Sequence, residues 1–142
     1  MEIYIVRHGD AIEGEIDELR ELSEKGKKQA KKAGKKLKKL KFEEIFSSPL
    51  KRAVQTAEII AEEIKFRGKI NTTELLMPGS NPSEILNHIF VMNIAKILIV
   101  GHQPFIGNFI KSISNQDVEV KKGSVWRIEI KDKKFKNIEQ IV

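Results

Sequence analysis

Lys96-Ile97-Leu98-Ile99-Val100-Gly101-His102-Gln103-Pro104 is the stretch that decides the fold. Ile97 to Val100 is an unbroken apolar run, and it ends at a glycine and a proline. A short continuous run of this kind fits a strand buried on both faces, as the central strands of parallel sheets are. Pro104 suits a helix start, and Phe105, Phe109, Ile110 and Ile113 continue at helical spacing. The stretch is therefore a strand, a tight loop and a helix.

The same pattern recurs on either side. Residues 2–6 form a β-branched and aromatic strand that stops at Arg7-His8-Gly9. Residues 10–22 are acidic and irregular. Ser23 then reads as an N-cap with Glu24 in the first turn, and Ala30, Ala33, Leu37 and Leu40 form one narrow apolar stripe. A strand over Glu43 to Phe46 leads to Ser47-Ser48-Pro49. There Ser48 suits a cap and Pro49 the first position of a helix whose buried stripe is Ala53, Ala57, Ile60 and Ile64. Residues 65–82 read as a loop with one strand around Ile70 to Leu75, and a short helix follows from Pro82 or Ser83 to Met92. Two alternating strands, Ser124–Ile130 and Phe135–Ile141, close the chain as an antiparallel hairpin through an Asp-Lys-Lys turn. Strands alternating with helices predict an α/β fold, a three-layer α/β/α sandwich with a mostly parallel central sheet. The 142 residues suffice for a single domain over 1–142 with its own core.

Composition narrows the function. The absence of cysteine removes disulfides, thiolate metal sites and a thiol nucleophile. No apolar run approaches the ~20 residues of a membrane span, and nothing at the N-terminus resembles a signal peptide. A cytoplasmic protein without membrane association is the expectation. The net charge of +6 is local: residues 25–41 hold ten lysines and no acid. The remainder carries 16 basic and 20 acidic side chains, a net of −4. Of the 26 basic residues only five are arginines: Arg7, Arg20, Arg52, Arg67 and Arg127. Where lysine does the solvating, an arginine suggests a use for its two-pronged guanidinium.

In open α/β sheets ligands bind beyond the carboxyl ends of the strands. Arg7 and His8 follow one strand, His102 follows another, and Arg52 lies in the first turn after a third. Taken singly, His8 is an ordinary strand-end histidine and Arg52 a surface charge. Together they bring two guanidinium groups, two imidazoles and two helix N-termini to one crevice, a site for a dianion such as phosphate. His88, inside a helical segment beside Asn87, reads as structural.

Arg7-His8-Gly9 after the first strand resembles the signature of the histidine phosphatase (phosphoglycerate-mutase-like) superfamily. The stretch from Ser47 to Ala57 is similar to its second block, Val100-Gly101-His102-Gln103-Pro104 to its third, and Leu22 to Ala30 to the entry into its first long helix. The blocks span about residues 1–115 in the family's order. The short chain resembles the SixA-like branch, whose members remove phosphate from phosphohistidine. The resemblance implies a phosphoglycerate-mutase-like fold and a hydrolase without cofactor or metal. It implies His8 as the nucleophile forming a phosphohistidine intermediate, with its far ring nitrogen donating to a fixed acceptor. It implies Arg7, Arg52 and His102 as holders of the phosphoryl oxygens, with Gly9 and Ser48 beside them in substrate binding.

The chain departs from the pattern of the mutase-like members, which carry a general-acid glutamate after the second block. Here Leu75-Leu76-Met77-Pro78-Gly79 occupies that place. Glu74, Asp10 and Glu13 are the remaining candidates for a leaving-group acid. An alkoxide leaving group needs such a donor, and the labile P–N bond of phosphohistidine needs it less. Phosphohistidine on a protein is therefore the expected substrate, with a small-molecule or nucleotide phosphomonoester as the alternative. A third class is a module that uses the lysine-rich helix to bind nucleic acid or an acidic protein. Few aromatics and no recognition motif speak against nucleic acid.

Overall fold

The computed structural model describes all 142 residues. Six strands form one sheet: β1 (Glu2–Arg7), β2 (Glu44–Ser47), β3 (Ile70–Thr72), β4 (Lys96–Gly101), β5 (Val125–Lys131) and β6 (Lys134–Gln140). Their order is β3-β2-β4-β1-β5-β6. The first four run parallel, with β4 central between β1 and β2. The closing hairpin attaches antiparallel to β1 through β5. Asp132 and Lys133 make its turn, both with φ near +60° (53° and 61°), the conformation that matches the twist of a two-residue hairpin.

Alternation along the strands builds two cores. Ile3 and Ile5 of β1, Phe46 of β2 and Ile97 and Ile99 of β4 face one side. There they pack on α3 (Pro82–Met92) and α4 (Phe105–Ser114) through Ile85, Ile89, Phe105 and Phe109. Tyr4, Val6, Ile45, Leu98 and Val100 face the other side. They pack on α1 (Glu24–Lys36) and α2 (Lys51–Glu63) through Ala33, Ala53, Ala57 and Ile60. The sandwich therefore has three layers, as the sequence predicts.

The lysine-rich helix α1 buries only Gly26, Ala30, Ala33 and Gly34, and every lysine on it is exposed. The small residues let it lie close to its neighbours. A Cβ on Gly34 would come within 2.7 Å of the Glu63 side chain. Ser23 caps α1 by accepting the Gly26 N–H.

Several elements differ from the sequence reading by a residue or more, and three of the differences are instructive. The strand predicted over Ile70 to Leu75 ends at Thr72; Thr73 accepts the Leu75 N–H and starts a 3-10 turn over Glu74–Leu76 that buries Leu76. Helix α2 begins at Lys51, with Leu50 as an extended N-cap and no side-chain cap. Ser48 does not cap it: it lies two residues before the N-cap, where its hydroxyl meets His102 and accepts the Leu50 N–H. The irregular segment 10–22 is tied by an Ala11–Leu22 bridge and contains a 3-10 turn over Asp17–Leu19.

Candidate active site

β1, β2 and β4 all end on the same edge of the sheet, which is why residues far apart in sequence meet there. Arg7, His8, Arg52 and His102 line one crevice of about 230 Å³, and Ala11, Arg20, Pro78, Gln103 and Lys122 complete its walls. The His8 and His102 rings lie 4.8 Å apart, centre to centre. Both histidines are buried, and so is Arg52. A larger hollow of about 530 Å³ lies at the opposite ends of β1 and β4, among Met1, Phe90, Ile94 and Ile130, and gathers no such groups.

Each side chain is held by a specific contact. His8 Nδ1 lies 2.7 Å from the Gly9 carbonyl oxygen. A carbonyl only accepts, so Nδ1 carries the proton and the Nε2 lone pair is free to attack an electrophile. Burial pushes the His8 imidazole down to about 4; the Gly9 carbonyl opposes this, and Arg52, Arg7 and Lys122 add to it. Burial likewise lowers His102 to about 3, helped by His8 and Arg52. Both rings are therefore neutral at neutral pH. Arg7 donates to the Val120 carbonyl at 2.8 Å, and its buried Nε has no partner. Burial lowers the pKa of Arg7 as well.

The structure adds residues that were not assigned from the sequence. Asp17, in the 3-10 turn, accepts from Arg52 at 3.2 Å and from Arg20 at 3.2 Å. Arg52 also donates to the Asp17 backbone carbonyl at 2.9 Å. The acidic loop is thus latched over the buried guanidinium. Lys122, from the segment before β5, pairs with Asp10 at 3.0 Å. Thr56 is fully buried, accepting from the Gly9 N–H and donating to the Arg52 carbonyl. It couples the loop after β1 to the first turns of α2. The scarcity of arginine pointed to Arg20, and nothing in the sequence pointed to Lys122 or Asp17.

Two predicted substrate contacts do not line the crevice. Gly9 packs on α1: a Cβ there would come within 2.5 Å of the Gly26 carbonyl oxygen. Its carbonyl and N–H are spent on His8 and Thr56. Ser48 is fully buried, with its hydroxyl 2.5 Å from His102 Nε2. None of the three acid candidates lines the crevice either. Asp10 accepts from Ser23 and Lys122, which hold its carboxyl below the usual range. Glu13 lies on the exposed loop beside the crevice. Glu74 is exposed on its 3-10 turn. The Asp17 carboxyl is lowered mainly by Arg20 and then by Arg52. His88 is exposed on α3 with its ring edge against Phe46.

No three His, Asp or Glu side chains gather as a metal site, and no helix is long and apolar enough to cross a membrane. The crevice can do one thing well: hold a tetrahedral anion against a neutral imidazole.

Comparison with known proteins gives the family and the fold. The model of the histidine phosphatase superfamily (branch 1) matches residues 3–77. No curated protein matches the sequence. Among solved structures, the protein histidine phosphatase SixA complexed with tungstate superposes with a TM-score of 0.89 at 21% identity, covering 99% of this chain and 97% of that one. A phosphoserine phosphatase mutant from Entamoeba histolytica, in complex with phosphoserine, gives 0.77 at 16% identity, with 96% and 95% covered. The alpha-ribazole phosphatase from Shigella flexneri gives 0.78 at 16%, with 95% and 93% covered. At these identities the structures share the fold.

Proposed function

Because the chain belongs to branch 1 of the histidine phosphatase superfamily, we propose that it is a phosphohistidine phosphatase that acts on protein substrates without a metal ion and uses His8 as its nucleophile. His8 Nε2 attacks phosphorus, and the bond from phosphorus to the substrate nitrogen breaks, its electron pair going to that nitrogen. A substrate imidazole already protonated at its far nitrogen then leaves as a neutral molecule. Water attacks the phosphoryl group on His8, the P–Nε2 bond breaks, and phosphate departs with the protons of the water. Arg7, Arg52 and His102 hold the non-bridging oxygens as charge develops on them.

The observation that carries the substrate class is the absence of a usable acid. All the charged groups lining the crevice are cations, and the carboxylates paired with them, Asp10 and Asp17, are held ionised by their partners. A serine or sugar alkoxide needs a proton donor to leave, and a protonated imidazole does not. A second reading, a small phosphomonoester with a further anionic group, draws on Arg20 and Lys122 at the rim. Both pair with aspartates that a substrate anion would have to displace, as Arg52 does with Asp17, so the choice between the two readings rests on the missing acid.

The test is turnover of a histidine-phosphorylated protein beside a panel of phosphomonoesters, with EDTA present throughout. The account expects the phosphohistidine protein to be the better substrate. Faster hydrolysis of a monoester selects the second reading. Activity lost in EDTA and restored by magnesium overturns the metal-free mechanism.

A further inference from the structure

Two neutral histidines face one crevice, and the proposed function assigns nucleophilic attack to only one of them. The hydrogen-bond partners supply a reason. His8 meets a backbone carbonyl through Nδ1, so its proton sits there and Nε2 is a free lone pair. His102 meets a hydroxyl, Ser48 Oγ, through Nε2. A hydroxyl can donate or accept, so its remaining partners decide the direction.

Ser48 Oγ has one other partner, the Leu50 N–H at 3.3 Å, which can only donate to it. If His102 Nε2 also donated, the hydroxyl would receive two protons while its own had no acceptor, in a side chain with no exposure. A buried donor with no acceptor is strongly disfavoured. If the hydroxyl donates to Nε2, every proton around Ser48 is placed. The proton of the neutral His102 ring must then sit on Nδ1, itself buried and without a partner in the protein, so this arrangement leaves one buried group unpaired where the reverse leaves two, the hydroxyl proton and the Nδ1 lone pair.

We propose that Ser48 is a positioning residue that fixes His102 as the Nδ1–H tautomer, so that the two rings differ in what they offer at the crevice: His8 a lone pair and His102 a hydrogen-bond donor. On this view the division of labour between nucleophile and oxyanion holder is set by what each ring touches away from the substrate. Burial keeps both rings neutral, which the assignment requires. The proposal rests on the phosphatase reading for its consequence in catalysis, but the tautomers themselves are measurable without any substrate.

The first experiment is ¹H–¹⁵N long-range correlation on the uniformly ¹⁵N-labelled wild-type protein near neutral pH, in phosphate-free buffer, with the rings assigned through His8→Gln and His102→Gln. The expected result is a protonated, pyrrole-type Nδ1 and a pyridine-type Nε2 on His102. The reverse pattern on His102, or a doubly protonated ring, overturns the proposal. The second is Ser48→Ala. The loss of one oriented hydrogen bond to the ring predicts a kcat lower by on the order of ten-fold with KM little changed, together with mixed tautomer signals for His102. An unchanged kcat with an unchanged His102 tautomer overturns the positioning role, and so does a raised KM with kcat retained, since that marks Ser48 as a direct substrate contact. If Ser48→Ala does not fold, the wild-type spectrum decides alone. The phosphatase reading fails separately, by retained turnover in His8→Ala, whatever the tautomers are.

Discussion

Lowering the pH from about 7.5 to about 5 offers protons that the unfolded chain takes and the folded site refuses. His8 and His102 titrate near 6.5 when exposed and are held at about 4 and about 3 in the fold. Both values are depressed, so between them and 6.5 the unfolded state binds more protons, and stability falls as the pH falls. At about pH 5 each unfolded imidazole is roughly 97% charged, while the folded rings are roughly 10% and 1% charged, which amounts to about 2 kcal/mol for each ring. Together they remove about 4 kcal/mol, a large share of the roughly 5–15 kcal/mol typical of a domain. The assay is urea unfolding at both pH values in buffers free of phosphate and sulfate, whose binding would mask the effect. His8→Asn and His102→Asn each delete one titrating ring, so each variant should lose about 2 kcal/mol over the same window. Stability that does not change across the window in the wild type, or variants that lose as much as the wild type, would refute the claim that both histidines are buried neutral at the site.

Three further outcomes follow from the same geometry. Arg7→Ala and Arg52→Ala should each lose on the order of 10²-fold or more in rate, the scale for deleting one transition-state donor, while circular dichroism shows the fold retained. Phosphate or vanadate should raise the melting temperature by binding the crevice. That protection should vanish in Arg7→Ala and persist when Lys31, Lys32, Lys35 and Lys36 on α1 are neutralised; the opposite pattern places the anion on the helix. Gly9→Ala should lower stability by about 1–3 kcal/mol, because its Cβ would press within 2.5 Å of the Gly26 carbonyl and one backbone segment must give way; calorimetry showing no change in melting temperature contradicts the close approach.

The sheet was legible where burial wrote it directly. Ile97–Val100 and Ile3–Val6 are apolar on both faces because helices cover both faces, and the groups that follow them, Arg7-His8-Gly9 and Gly101-His102, stood out as polar residues at the ends of buried strands. The closing hairpin was legible as a hairpin. Its attachment to β1 was not, because the alternation of β5 records which face is buried and not which strand lies alongside. Ser48 looked like a helix cap because Ser-Pro commonly is one. Only the arrival of His102, 54 residues later, shows where the hydroxyl goes. Asp17 and Lys122 were hidden for a related reason. Each is a surface charge in an irregular segment, and each matters only because tertiary contacts fold that segment over the crevice. Among the five arginines, scarcity was the useful signal: Arg7, Arg20 and Arg52 converge on the crevice. Arg127 instead ties β5 to Glu2 and Glu139 on the neighbouring strands.

The central claim is that the phosphoryl group passes through His8. It is tested most directly by quenching a turnover reaction in alkali, where phosphohistidine survives, and mapping the modified residue by mass spectrometry, with EDTA present. The account predicts one acid-labile phosphoryl group, on His8 alone, absent from His8→Ala and still formed in variants slowed at Arg52. Phosphate found on His102, on a serine or on an aspartate, or turnover that continues in His8→Ala, would contradict it.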